Sequence, residues 1–104
     1  MVRELMRAQL AETFCSVDML VTPTTPTPAF QFGAKTDPLS MYRQDIFTVP
    51  VNLTGVPALS IPVLSVSRDD RNLPVGVQYI TAHGGETRLF DFAGRIYDDR
   101  AHVA

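Results

Sequence analysis

The residue best placed to do chemistry is Asp45, the single charged group in the apolar stretch DIFTVPVNLTGVPALSIP at residues 45–62. Burying a carboxylate among apolar side chains is costly unless another group pairs with it. Two interpretations follow. Asp45 either caps the helix that comes after it, or it faces a ligand. The residues alone leave both open.

Prolines decide which elements can position this aspartate. Pro50, Pro57 and Pro62 exclude one long helix, because each removes a backbone donor and clashes with the preceding turn. They also exclude one central strand, where a proline would interrupt the hydrogen-bonded ladder. The pattern predicts a short buried helix that ends near Gly55, then a turn, then a short buried strand over residues 58–61.

The rest of the chain shows helical and extended patterns in alternation. Continuous apolar residues in the predicted strands indicate burial on both faces. The first predicted elements are an amphipathic helix at residues 2–14, a strand at 18–22 and a rigid Pro/Thr loop at 23–28, for which a free linker is the alternative. A loop at 30–38, a short helix at 39–43 capped by Asp37, a polar excursion at 65–72 and a strand at 75–80 are predicted next. A helix opened by Gly84-Gly85 and a frayed end at 98–104 follow.

This order of elements is an α/β pattern. A chain of 104 residues is one domain at most. Three short strands with both faces apolar do not make a self-sufficient sheet, since such strands need further strands beside them and helices above and below. We therefore predict that the chain is the terminal portion of something larger.

Composition excludes several classes of function. The formal charge of −2, with dispersed basic residues, predicts no nucleic-acid patch and no anionic-membrane surface. No apolar run is long enough to span a bilayer, and the first residues do not form a secretory signal. Cys15 is the sole cysteine and is predicted to be a small buried hydrophobe. His83 and His102 have no partners at metal-ligand spacing, so no metal site is predicted.

Three runs carry a family resemblance: VTPTTPTPAF at residues 21–30, the 45–62 stretch, and LPVGVQYI at 73–80. They resemble the C-terminal part of the amidase signature family, and most of all the branch formed by the A subunits of glutamyl-tRNA(Gln) amidotransferases. The resemblance implies that residues 1–104 are the C-terminal part of an amidase domain. It also implies an α/β fold with a mixed sheet flanked by helices, incomplete on its own.

The resemblance implies a chemistry in which this chain supplies no catalytic residue. Enzymes of the family cleave an amide with a serine nucleophile, assisted by a second serine and a lysine, all N-terminal to the region resembled. Lys35 is the only lysine here and is not assigned the role of base. We therefore expect the isolated chain to be inactive.

The partners are implied by the same resemblance. In the amidotransferase, ammonia from glutamine passes to a partner subunit that uses ATP and magnesium to convert Glu-tRNA(Gln) to Gln-tRNA(Gln). The implied partners are thus the other amidotransferase subunits, glutamine, and the tRNA through the complex. The chain itself is expected to carry no cofactor and to reside in bacterial cytoplasm or an organelle.

One substrate-binding position carries over from the family. Asp45 resembles the carboxylate that meets the α-ammonium of glutamine, where a charge-assisted hydrogen bond is favourable. Tyr42 lies three residues earlier, on the same face if the helix continues, and is a second candidate for the pocket. An ordinary packing tyrosine is the alternative. Two other functions stay open for the chain: a fragment of a general amidase, or a non-catalytic truncated binding module.

Overall fold

Every predicted helix and strand is present, although the last two strands and the last helix extend beyond their predicted bounds. The computed structural model describes residues 2–29 and 37–103, with side chains as far as residue 97. Its elements, numbered in chain order, are α1 (Val2–Thr13), β1 (Leu20–Pro23), α2 (Pro38–Gln44), α3 (Val49–Thr54), β2 (Ala58–Arg68), β3 (Arg71–Ile80) and α4 (Glu86–Val103).

The predicted caps and stops of the short helices are confirmed. Asp37 accepts a hydrogen bond from the backbone N–H of Ser40 at 2.9 Å, ahead of Pro38 in the first turn of α2. Helix α3 ends at Gly55, whose φ of 73° is the left-handed conformation that glycine adopts without strain. The burial predicted for this helix is incomplete, since Thr54 is its one buried residue.

The polar segment predicted at residues 65–72 is exposed throughout, as expected, but its backbone is not the loop that the sequence suggested. Strands β2 and β3 continue through it and form a hairpin, with Arg68 opposite Arg71. Asp69 and Asp70 make the turn with φ values of 52° and 62°, as a two-residue turn of type I′ requires. Aspartate tolerates this left-handed conformation better than most residues, and the charges of the hairpin tip still lie exposed to water.

The three strands form an antiparallel sheet in the order β1-β3-β2. Helix α4 packs across one face of it, where Ile61, Tyr79, Leu89 and Ala93 make a small core. The ring of Tyr79 meets that of Phe92 edge-on, with centroids 5.4 Å apart. The α/β class is confirmed, and both strand pairings seen in the described residues are antiparallel.

Three further expectations are corrected. Cys15 is exposed and lies in the turn after α1, where its thiol donates to the carbonyl of Ala11. Burial on both faces holds for the end of β3 but not for β1, whose Val21 is 60% exposed at the sheet edge. The end predicted to fray, residues 98–104, is helical as far as Val103.

The body formed by these elements is thin. It measures 44 × 40 × 17 Å, and its radius of gyration is 15.7 Å, against about 13 Å for a globular domain of this length. Large apolar side chains remain exposed on α1, α2, β2 and α4, among them Val2, Leu5, Leu39, Leu64 and Phe90. Across the described ranges, none of the helices has the length and hydropathy needed to cross a membrane.

Candidate functional site

Asp45 lies in the tight connection between α2 and α3. It is the C-terminal cap of α2, and its backbone N–H donates to the carbonyl of Tyr42 at 3.0 Å. Its own carbonyl accepts from the N–H groups of Thr48, at 3.1 Å, and Val49, at 3.0 Å. These backbone bonds fix the position of its Cα.

The interpretation of Asp45 as an N-terminal helix cap is wrong. Thr48 occupies the cap position of α3, and no side chain makes a capping hydrogen bond there. The reason is spacing: the backbone of residues 45–48 forms a full turn before the helix begins, so the carboxylate sits one turn too early to reach the first free N–H groups.

The carboxylate of Asp45 is not used by the fold. The residue is exposed, and within residues 2–29 and 37–97 its side chain has no hydrogen-bond or ion-pair partner. Exposed apolar side chains flank it, with Tyr42 at 66% and Ile46 at 46% exposure. An anion beside apolar surface is suited to a ligand that carries one ammonium group.

Tyr42 does not pack into the core of this chain, so the packing alternative has no support in the described residues. Its side chain is available to a ligand or to another part of an amidase domain. Its role in a pocket stays a prediction. Lys35 lies outside the described residues.

A buried amide ties the connection that holds Asp45 to the sheet. Gln78, 5% exposed, sits in the central strand β3. Its Nε2 donates to the carbonyl of Phe47 at 2.9 Å and to Oγ1 of Thr22 at 3.0 Å. Sequence reasoning missed this residue, although a glutamine inside the apolar run LPVGVQYI was a signal, because a buried amide needs partners.

Hydroxyl groups continue the same face of the sheet. Oγ1 of Thr24 and Oγ of Ser60 are hydrogen-bonded at 2.5 Å across the central strand. They meet above Gly76, where a Cβ would lie 2.6 Å from Ser60 Oγ and 3.0 Å from Thr24 Oγ1. Glycine is therefore required at this position for the two outer strands to bond over the middle one.

The Pro/Thr segment is a rigid loop, not a free linker. Thr24 donates its backbone N–H to Gly76 at 3.2 Å, and Thr25 donates its hydroxyl to the carbonyl of Thr27 at 2.7 Å. Thr27 Oγ1 in turn donates to Oε1 of Gln44 at 3.3 Å, next to Asp45. The loop and α2 are thus connected on the side of the sheet where the candidate carboxylate lies.

This arrangement can bind but has no evident means of activating a nucleophile. Among the described residues, no serine, threonine or cysteine hydrogen-bonds to His83, the one histidine whose side chain the structure describes. A hydroxyl needs such a base to attack an amide. In the described part of the chain, no three His, Cys, Asp or Glu side chains come together as metal ligands.

Known proteins are similar to this chain over most of its length. The family model described as Amidase matches residues 1–90. The A subunit of the glutamyl-tRNA(Gln) amidotransferase from Halothermothrix orenii is 46% identical over 92 residues, which are 88% of this chain and 19% of the relative. The A subunit of the same enzyme from Thermus thermophilus is 48% identical over 87 residues, 84% of this chain and 18% of the relative.

Solved structures share the fold. The A subunit of the glutamyl-tRNA(Gln) amidotransferase from Thermotoga maritima superimposes with a TM-score of 0.76 at 40% identity, covering 86% of this chain and 19% of that one. A 6-aminohexanoate cyclic dimer hydrolase also gives 0.76, at 25% identity, covering 93% and 22%. The chain thus spans about a fifth of the length of these relatives.

Proposed function

The chain belongs to the amidase family and corresponds to a C-terminal portion of its domain, and we propose that it forms the glutamine-binding wall of a tRNA-dependent amidotransferase. In this proposal Asp45 binds the α-ammonium of glutamine. The amide of the same glutamine is cleaved by a serine and a lysine that belong to preceding sequence. Tyr42 borders the bound substrate.

The observation that carries the proposal is the exposed carboxylate of Asp45, which has no partner among the described residues and stands on a backbone held by three hydrogen bonds. Because the backbone of Asp45 is already ordered, only its side-chain rotamers lose freedom when the carboxylate meets an ammonium. Within the described residues the fold gives it no structural task. A ligand contact therefore explains why an anion stands at this edge of an apolar segment.

The wider reaction is proposed from the relatives, whose name joins an amidotransferase to a glutamyl-tRNA. Ammonia released from glutamine would pass to a partner protein that uses ATP and magnesium to amidate Glu-tRNA(Gln). In this proposal the chain contributes to the release of ammonia and the partner carries out the amidation. The corresponding compartment is bacterial cytoplasm or an organelle.

A general amidase is the second candidate, because the cyclic dimer hydrolase shares the fold as closely as the amidotransferase does. Fold similarity therefore does not separate the two functions. Sequence identity favours the amidotransferase, at 40% against 25% for the two structures. Substrate choice decides between them, since a general amidase substrate need not carry an ammonium for Asp45 to bind.

The test uses an assembled enzyme, meaning this chain joined to the preceding portion of the Thermotoga maritima protein. Asp45→Asn keeps the shape and removes the charge. We expect KM for glutamine to rise about tenfold to a hundredfold, the loss of one charge-assisted hydrogen bond. For glutaramate, which is glutamine without its α-amino group, KM should not change.

Asp69→Asn is the matched control, since it removes a carboxylate from the exposed hairpin turn and should leave both substrates unaffected. Equal losses on glutamine and glutaramate would refute the contact with the ammonium. Hydrolysis of simple aliphatic amides that is indifferent to Asp45→Asn would identify a general amidase. No hydrolysis of any amide by the assembled enzyme would favour the non-catalytic module.

A further inference from the structure

Gln78 is the buried amide of the sheet whose hydrogen bonds reach the candidate site. It occupies the central strand, is 5% exposed, and is paired in register with Thr22 on β1 and Ser60 on β2. A buried polar side chain costs stability unless hydrogen bonds within the protein replace those that it made to water.

The proton donors and acceptors around Gln78 allow one orientation of its amide. The carbonyl of Phe47 can only accept. The hydroxyl of Thr22 donates its proton to the carbonyl of Pro23 at 2.9 Å, which leaves its oxygen to accept. Both N–H groups of the Gln78 amide are therefore engaged. A carboxylate of the same shape would place lone pairs against lone pairs.

These bonds act on the segment that carries Asp45. Phe47 lies two residues after the aspartate, inside the turn of residues 45–48. The turn closes on itself through the N–H groups of Thr48 and Val49, but these bonds do not fix its height above the sheet. The bond from Gln78 to Phe47 joins the turn to the central strand, and the bond to Thr22 holds the amide at that point.

We infer that Gln78 is a positioning residue for substrate binding: it anchors the turn of residues 45–48 to the sheet, so that the Asp45 carboxylate is held where an ammonium can meet it. The inference rests on the proposed function of Asp45. Gln78 itself touches no substrate. Its removal should loosen the turn and weaken glutamine binding while the chemical step proceeds normally.

Three variants in the assembled enzyme separate the bonds. Gln78→Leu removes both donors and keeps the volume, and Gln78→Glu keeps the shape but opposes the carbonyl of Phe47. For these two, we expect KM for glutamine to rise about tenfold with kcat within about twofold, the value of one buried hydrogen bond. Thr22→Val removes only the second bond, so on a logarithmic scale the rise in KM for glutamine should be about half of that expected for the Gln78 variants. KM for glutaramate should stay constant in all three.

A second measurement does not depend on activity. Hydrogen exchange followed by mass spectrometry reports the amides of Thr48 and Val49, which are protected by the closed turn. In the Gln78 variants their exchange should accelerate about tenfold, while peptides around Leu89 in the core keep their protection. Ser65→Ala, an exposed change on β2, is the control and should alter neither measurement.

The outcomes distinguish this inference from the proposed function. Faster exchange in the turn together with the KM rise supports it. Unchanged exchange in the turn would overturn it, and so would faster exchange throughout the core, which would make Gln78 a general structural residue. Faster exchange with unchanged KM would also overturn it. Asp45→Asn decides the proposed function separately. If Gln78→Leu does not fold, Thr22→Val supplies the same comparison with one bond removed.

Discussion

Separating this chain from the rest of an amidase domain should abolish its cooperative unfolding, because its surface is too large for its mass. The accessible surface is 7,682 Å². A globular protein of 11.5 kDa exposes about 5,800 Å². The excess of about 1,900 Å² is enough for a stable interface, which typically buries about 1,600 Å² in total from its two partners.

The free energy that would be gained by covering this excess surface exceeds the folding free energy of a typical domain. If somewhat more than half of the excess area is apolar, covering it contributes roughly 25 kcal/mol before the entropy of ordering is subtracted. Net folding free energies are only about 5–15 kcal/mol. The buried apolar cluster of Ile61, Tyr79, Leu89 and Ala93 is small by comparison. The chain alone should therefore be poorly soluble or only partly folded.

The assay compares the chain alone with the assembled enzyme. Alone, the chain should unfold over a broad temperature range and bind a dye that reports exposed apolar surface. Within the assembled enzyme, peptides from β3 and α4 should become strongly protected against hydrogen exchange. A sharp thermal transition and dispersed amide NMR signals for the isolated chain would refute the reasoning.

Substitutions at Asp70 and Leu89 test the hairpin and the core in the assembled enzyme. Asp70→Gly should stabilise the hairpin by up to about 1 kcal/mol, because φ is 62° there and glycine adopts it freely; Asp70→Ala should destabilise it, and slower exchange of the Asp70→Ala hairpin amides would contradict this. Leu89→Ala should cost about 2–5 kcal/mol, since the side chain is 2% exposed and its loss leaves a cavity. Leu64→Ala, 67% exposed, is the control, and equal shifts in denaturation midpoint for the two leucines would show that the core lies elsewhere.

Sequence patterns predicted the short helices well because local chemistry determines them. Asp37 ahead of Pro38, and Gly55 after an apolar turn, are start and stop signals that act within four residues. The hairpin was missed because the charges around Asp69 and Asp70 suggested a loop, whereas Leu64 and the residues after it alternate as a strand does. Charge at an exposed strand end says little about backbone conformation.

The candidate site was predicted only in part, for a different reason. Asp45 could be selected because it is the lone charge of its segment, but its partners could not. The link between Gln78 and Phe47 spans 31 residues, and the link between Gln78 and Thr22 spans 56. Contacts of that separation follow from strand order and register, which no local pattern determines.

The exposed carboxylate and the excess surface have a common explanation. The chain measures 17 Å in its shortest dimension, which leaves room for a sheet and one layer beside it, whereas α/β domains cover both faces of the sheet. Asp45 is exposed and is flanked by the exposed apolar side chains of Tyr42 and Ile46. A covering layer there would bury those apolar groups and would place the carboxylate of Asp45 in the wall of a cavity. Binding by Asp45 and folding of the chain should therefore depend on the same missing surface, and a variant that weakens one through that contact should weaken the other.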